Sequence, residues 1–261
     1  MHFMRIIIQE ENSAAYNMAL DEAISEAVLQ RTSPPTVRLY HWDVPSVTIG
    51  YFQKLSDINI GYCTGKRYPV IRRITGGRAI LHDAELTYSV SSLANSFPFR
   101  NKLFENYTLT SKALVRGLNM LGIHAHMSLT RKRTEGARTP ACFKAVSYGE
   151  VTVEGRKVIG SAQKRFRNGF LQQGSIMINF RAEELCHVLN GSNKEDFMGI
   201  GSLCDHQNGI SLNDLQLCLK ESFEKELNIK MISDEPTRFE LGLAKELEQK
   251  KYSTREWNYL R

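Results

Sequence analysis

Arg72-Arg73-Ile74-Thr75-Gly76-Gly77-Arg78-Ala79-Ile80-Leu81-His82-Asp83 sets a glycine pair between two short apolar runs, flanked by basic and titratable side chains. The surrounding pattern reads as three strands: Val70 to Ile74, Arg78 to Leu81 and Leu86 to Ser91. Gly76-Gly77 then makes the first turn and His82 to Glu85 the second. Two glycines permit positive φ and let the backbone come close to a ligand. Successive N–H groups in such a turn can cradle a carbonyl oxygen or a phosphate. A glycine pair by itself marks a plain hairpin. Arg72, Arg73 and His82 beside it point instead to a site for an anion or a carboxyl derivative.

A second stretch carries candidate chemistry. Thr139-Pro140-Ala141-Cys142-Phe143 precedes Val151-Thr152-Val153, whose period of two reads as a strand. Glu154-Gly155 is a turn signal, and Lys157 to Gln163 starts the return strand. The hairpin can set Cys142 and Lys157 across one pocket. A thiol reacts as thiolate, and a neighbouring ammonium lowers its pKa from roughly 8.5. A desolvated lysine can also carry protons. Taken singly, a cysteine is usually a small buried hydrophobe and a lysine after a hairpin turn is usually solvated.

Further out, Met4 to Ile8 reads as a strand, and Asn12-Ser13 offers a cap for a helix. Tyr16, Ala19, Leu20, Ala23, Ile24, Ala27 and Val28 form its apolar stripe, with Asn17, Asp21, Glu22 and Glu26 on the other face. Strands are expected at Val37 to Tyr40 and Ser46 to Gly50, and a short helix at Asp57 to Tyr62. A longer helix is expected from Leu103 to Leu121, with Gly122 at its end. Ser211 caps a helix bearing Leu212, Leu215, Leu219, Phe223 and Leu227 on one face. Hairpins mixed with flanking helices predict an α+β fold. The expected organisation is one catalytic domain over 1–230 and a helical tail over 231–261 packing on it.

The 261 residues, 42% of them hydrophobic, are enough for a real core. The net charge of +6 favours an acidic partner, but no basic stripe with interleaved aromatics suggests nucleic acid. The five cysteines form no Cys-x-x-Cys pair, which argues against a zinc site or a disulfide framework and for a reduced, cytoplasmic protein. His124 and His126 share one strand face with no third ligand nearby and read as structural. No signal peptide and no membrane span is expected. Gly61-Tyr62-Cys63-Thr64-Gly65-Lys66-Arg67 imitates a P-loop, but it is one residue short and lacks the magnesium-holding hydroxyl. No Gly-x-Ser-x-Gly elbow and no Gly-x-Gly-x-x-Gly helix start occurs.

Arg72-Arg73-Ile74-Thr75-Gly76-Gly77 with His82-Asp83 resembles the signature of the biotin and lipoate protein ligase catalytic fold. Gly155-Arg156-Lys157-Val158-Ile159-Gly160-Ser161-Ala162-Gln163 is similar to that superfamily's lysine motif, and Asn17-Met18-Ala19-Leu20-Asp21-Glu22-Ala23 to its first helix. Within the superfamily the chain resembles the cysteine-dependent octanoyltransferase branch. Arg78 stands where ligases usually carry a third glycine, Ala84-Glu85-Leu86-Thr87-Tyr88-Ser89 follows His82-Asp83, and Pro140-Ala141-Cys142-Phe143 is similar to the segment holding that branch's nucleophile. The resemblance implies mostly antiparallel mixed sheets flanked by helices. It further implies that Cys142 takes octanoyl from octanoyl-acyl carrier protein and passes it to the lysine of a lipoyl domain, such as the glycine cleavage H protein. Lys157 would serve the thiol, and Arg73, Thr75, Gly76, Gly77, His82, Gly160, Ser161 and Ala162 would bind substrate. No cofactor is implied, and a monomer is expected. Two alternatives remain open at this point: an ATP-dependent lipoate ligase working through an acyl-adenylate, and a non-catalytic protein that binds acyl chains or lipoyl domains.

Overall fold

The computed structural model describes residues 2–128 and 149–261. Cys142 and the basic stretch 131–138 lie outside the described residues. The chain starts with strand β1 (Phe3–Asn12), then helix α1 (Ala14–Leu29), capped by the Ser13 hydroxyl, which accepts from the Tyr16 N–H at 3.2 Å. Strands β2 (Thr36–Trp42) and β3 (Ser46–Ile49) follow. The helix expected at 57–62 is a single 3₁₀ turn, Leu55–Asp57, followed by α2 (Ile60–Lys66). All of the P-loop-like run but its last residue, Arg67, falls inside α2, and it forms no phosphate cradle. Next come β4 (Val70–Arg72), β5 (Ile80–His82), β6 (Glu85–Leu93), α3 (Leu103–Met120) and β7 (Ala125–Met127). Strand β8 (Val151–Val153) turns into β9 (Arg156–Arg165) through Glu154 and Gly155, both at positive φ (49° and 76°), the pair a tight hairpin turn requires. After β10 (Gly169–Met177) come α4 (Ala182–Val188), α5 (Leu212–Leu227), β11 (Lys230–Ser233), α6 (Arg238–Leu247) and α7 (Arg255–Asn258).

Among the described residues these strands make two sheets. The larger runs β11-β1-β2-β6-β10-β9-β8-β7; its pairs are antiparallel except those of β1, which lies parallel to both neighbours. The smaller runs β4-β3-β5. The α+β expectation with mostly antiparallel sheets is met. The expected double hairpin around Gly76-Gly77 is not: β4 and β5 do not pair with each other, because β3 lies between them. Nor do β5 and β6 form a hairpin; they belong to different sheets. The glycines are therefore in a connection that passes over a third strand, and the His82–Glu85 segment carries the chain from one sheet to the other.

Leu118, Leu219 and Phe223 are fully buried in the core between α3, α5 and the large sheet. Each such side chain contributes about 1.5–3 kcal/mol by leaving water. The α1 face expected to be solvated is only partly so. Glu26 is exposed, but Asn17 and Asp21 are fully buried against β2. There Arg38, itself fully buried, donates to Asp21 at 2.9 Å and to the Asn17 side-chain oxygen at 2.6 Å. Residues 231–261, read above as a helical tail, open inside strand β11. Beyond it α6 packs on α1, with Thr237 and Glu240 in a capping box and the buried Glu240 carboxylate paired with Arg5.

Candidate active site

The connection from β4 to β5 is built around Arg73. Its guanidinium donates to the Thr48 carbonyl and hydroxyl, both at 3.0 Å, to the Gly76 carbonyl at 2.8 and 3.2 Å, and to the Arg78 carbonyl at 2.7 Å. The glycine turn thus wraps a cation fixed from inside. A Cβ on Gly50 would lie 2.0 Å from the Gly77 carbonyl oxygen, and Tyr51 donates to the Thr75 carbonyl at 2.9 Å, so the end of β3 is pressed against the turn. Gly77 itself has a φ of 86°. Arg72 does not join an anion site, contrary to the expectation. It is fully buried and donates to the carbonyls of Gly50, Tyr51 and Gln53 at 3.0, 3.2 and 2.7 Å. Arg72, the last residue of β4, and Arg73, the residue after it, point to opposite sides.

His82 closes β5. Its Nε2 meets the Thr48 hydroxyl at 2.8 Å and its Nδ1 meets Glu85 at 2.7 Å. The Trp42 ring stacks on it with centroids 4.0 Å apart. The same Glu85 oxygen accepts from the Trp42 indole at 3.0 Å and from the Thr87 hydroxyl. One buried carboxylate oxygen thereby orients three side chains.

Between the two sheets lies a pocket of about 400 Å³, its open mouth included. Arg73, His82, Gly160, Ser161 and Ala162, all anticipated from the sequence, line it. Met18, Tyr40, Trp42 and Ile80 make much of the rest apolar, as a hydrocarbon tail requires. Thr75 reaches the pocket wall through Gln173, to which its hydroxyl donates at 2.8 Å. Gln173 in turn donates to Asp21 at 2.7 Å. Asp21 also accepts from Arg38 (2.9 Å), Tyr40 (2.8 Å) and Ser89 (2.8 Å). Burial, then the Asp21 charge, pushes the Tyr40 phenol well above its ordinary value. Tyr88 is within 2.6 Å of the Ser161 hydroxyl, and burial pushes it up to about 12.

Lys157 stands three residues before Gly160 on β9. It is not the solvated lysine of the plain reading: it is 1% exposed and its ammonium pairs with the buried Glu150 carboxylate. Its backbone is held on the far side by Gly199 and Gly201, at 2.8 and 2.9 Å. The facing of Cys142 and Lys157 lies outside the described residues. Sequence reading missed Trp42, Glu85, Glu150 and Gln173. The one signal for Gln173 was a polar pair, Gln172-Gln173, inside a largely apolar strand. Among the described residues no group of three or more His, Cys, Asp or Glu is placed to hold a metal ion, and no helix is long and apolar enough to cross a membrane.

Residues 13–223 match the family described as the lipoyl protein ligase A/B catalytic domain. The chain is 36% identical over 264 residues to octanoyltransferase LipM of Bacillus anthracis, covering 95% of this chain and 94% of that one. It is 37% identical over 275 residues to octanoyltransferase LipM of Kyrpidia tusciae, covering 99% of both. Among solved structures, a lipoate-protein ligase A bound with ATP superposes with a TM-score of 0.84 at 25% identity, covering 99% of both chains. A signature first read from Arg73, the glycine pair and His82 therefore extends over nearly the whole molecule, and the chain belongs to the lipoyl protein ligase A/B catalytic domain family.

Proposed function

We propose that the protein is an octanoyltransferase of lipoate biosynthesis that carries the acyl group on Cys142. The observation that carries this reading is the 36–37% identity to octanoyltransferases over essentially the full chain. The apolar pocket between the sheets supports it as the seat of the octanoyl tail. In the proposed reaction the Cys142 thiolate attacks the thioester carbonyl of octanoyl-acyl carrier protein. The carbon–sulfur bond to the carrier breaks, the carrier leaves as its thiolate, and an octanoyl-cysteine forms. The ε-amine of a lipoyl-domain lysine, the glycine cleavage H protein type included, then attacks the same carbonyl. The amide forms, the Cys142 thiolate leaves, and the amine gives up a proton. One thioester replaces another in the first step, so no activation by ATP is needed. The second step exchanges a thioester for a more stable amide.

Lys157 is assigned to hold the thiolate and steady the oxyanion, supported by its burial on β9, the strand whose Gly160, Ser161 and Ala162 line the acyl pocket. Gly76 and Gly77 are assigned to the carbonyl end of the substrate, with Arg73, Thr75 and His82 near it. The working compartment in this reading is the cytoplasm, and the working form a monomer. The test is intact mass after brief incubation with octanoyl-acyl carrier protein without ATP. One added octanoyl group, released by hydroxylamine and absent in Cys142→Ser, is the expected result. Turnover that requires octanoate or lipoate with ATP, with no adduct, would assign the chain to the ligases.

A further inference from the structure

Phe52 is 71% exposed, the highest exposure of any aromatic among the described residues' large exposed hydrophobics. Its ring meets Tyr51 edge-on at 4.9 Å, and the Arg261 guanidinium lies 5.3 Å above it and 5.5 Å from Tyr51. The Lys164 ammonium is 5.4 Å from the other neighbour, the Tyr51 ring. Neither Lys164 nor Arg261 has an ion-pair partner among the described residues. This collar adjoins the glycine turn and β9, the strand that supplies part of the pocket wall. Tyr51 bonds the backbone of Thr75, Gly50 touches Gly77, and Lys164 lies two residues beyond the pocket-lining Ala162 on β9, hence on the same face.

We infer that Tyr51, Phe52, Lys164 and Arg261 form the docking surface for the acceptor domain, a lipoyl-type domain with acidic side chains around its target lysine. The inference rests on the octanoyl-transfer reading. Reach selects the occupant. A lysine offers only a four-carbon stem, so the body of the acceptor must sit on the rim of the pocket itself. Unpaired cations around an exposed aromatic ring match an acidic protein surface with an apolar centre. Cations placed there also raise the encounter rate at low salt.

The experiment measures binding of an isolated lipoyl domain to the full-length enzyme by fluorescence anisotropy, at low and at physiological salt. Phe52→Ser and the double variant Lys164→Glu/Arg261→Glu are compared with the native chain, and Lys164→Arg/Arg261→Lys serves as the charge-preserving control. Both test variants are expected to bind about tenfold more weakly, the charge-reversed one with a flatter salt dependence. The control is expected to bind as the native chain does. Octanoyl-enzyme formation, read by intact mass, is expected to be equal in all four. Unchanged domain binding in the test variants overturns the assignment, as does an equal loss of acyl-enzyme formation and domain binding. Failure of the native chain to form any acyl-enzyme would strike the transfer reading, while the binding measurement still decides the collar.

Discussion

Lys157 and Glu150 are a buried pair of opposite charges, and such a pair is far costlier to break than to replace. Lys157→Met alone leaves the Glu150 carboxylate buried without its ammonium, an expected loss of about 3–5 kcal/mol. Lys157→Met with Glu150→Leu is expected to regain most of that in denaturant titrations. The same pair tests the proposed service to the thiol. Lys157→Met is expected to raise the pH at which iodoacetamide alkylates Cys142. Glu150→Gln, which removes the countercharge, is expected to lower it. Tyr88 gives a second residue-level prediction. Its folded-state pKa is raised from 10.0 to about 12 by burial, so the folded chain holds a proton that the unfolded chain releases. The stability this contributes is full below about pH 10 and is lost as pH rises through about 12. Tyr88→Phe is expected to flatten the fall of stability across that window, measured by thermal melts. It will not abolish the fall, because burial also raises Tyr40 and Tyr252. At this scale the sequence drew attention to Arg73 and His82, which line the pocket, but also to Arg72, which is buried against backbone carbonyls away from it. It was least legible where a polar side chain is buried by a partner far along the chain. Asp21 and Asn17 look like solvated helix residues until Arg38, Tyr40 and Gln173 are folded over them.

Elements were legible where one face meets one environment. The stripe in α1, the Ser211 cap of α5 and the β8–β9 turn all follow from local spacing. The β4–β5 connection was misread because the pairing partner of both strands, β3, lies more than twenty residues earlier than β4, and no local pattern records that. The consequence is mechanical. The glycine turn is held by β3 through the contact of Gly50 with Gly77, not by a hairpin of its own. Gly50→Ala would place a methyl 2.0 Å from the Gly77 oxygen and push the turn off β3. The expected cost is about 1–3 kcal/mol, with a larger relative loss of acyl transfer than of far-UV circular dichroism. Transfer retained with stability lost would show that the turn tolerates displacement.

Across the whole molecule, β11 and α6 close what the first thirty residues leave open. β11 covers the free edge of β1, and α6 covers α1, with the buried Arg5–Glu240 pair fastening the two ends. A chain stopped after Ile229 is therefore expected to fail to fold, recovered in the insoluble fraction or as large aggregates by gel filtration. A monodisperse, cooperatively melting fragment would establish instead that the portion before β11 stands alone. The α+β class and the lipoyl ligase resemblance were readable from sequence because their motifs are short and ordered. This closure was not, because it joins residues from opposite ends of the chain. It also sets a schedule for synthesis. β1 is translated long before β11, the parallel strand that covers its outer edge and is encoded more than two hundred codons later. At about 5–20 residues per second, the apolar edge carrying Met4 and Ile6 waits some ten seconds or longer for its cover. During that interval it is an open template for any other extended chain, so newly made protein, rather than mature enzyme, is the form that most needs a chaperone.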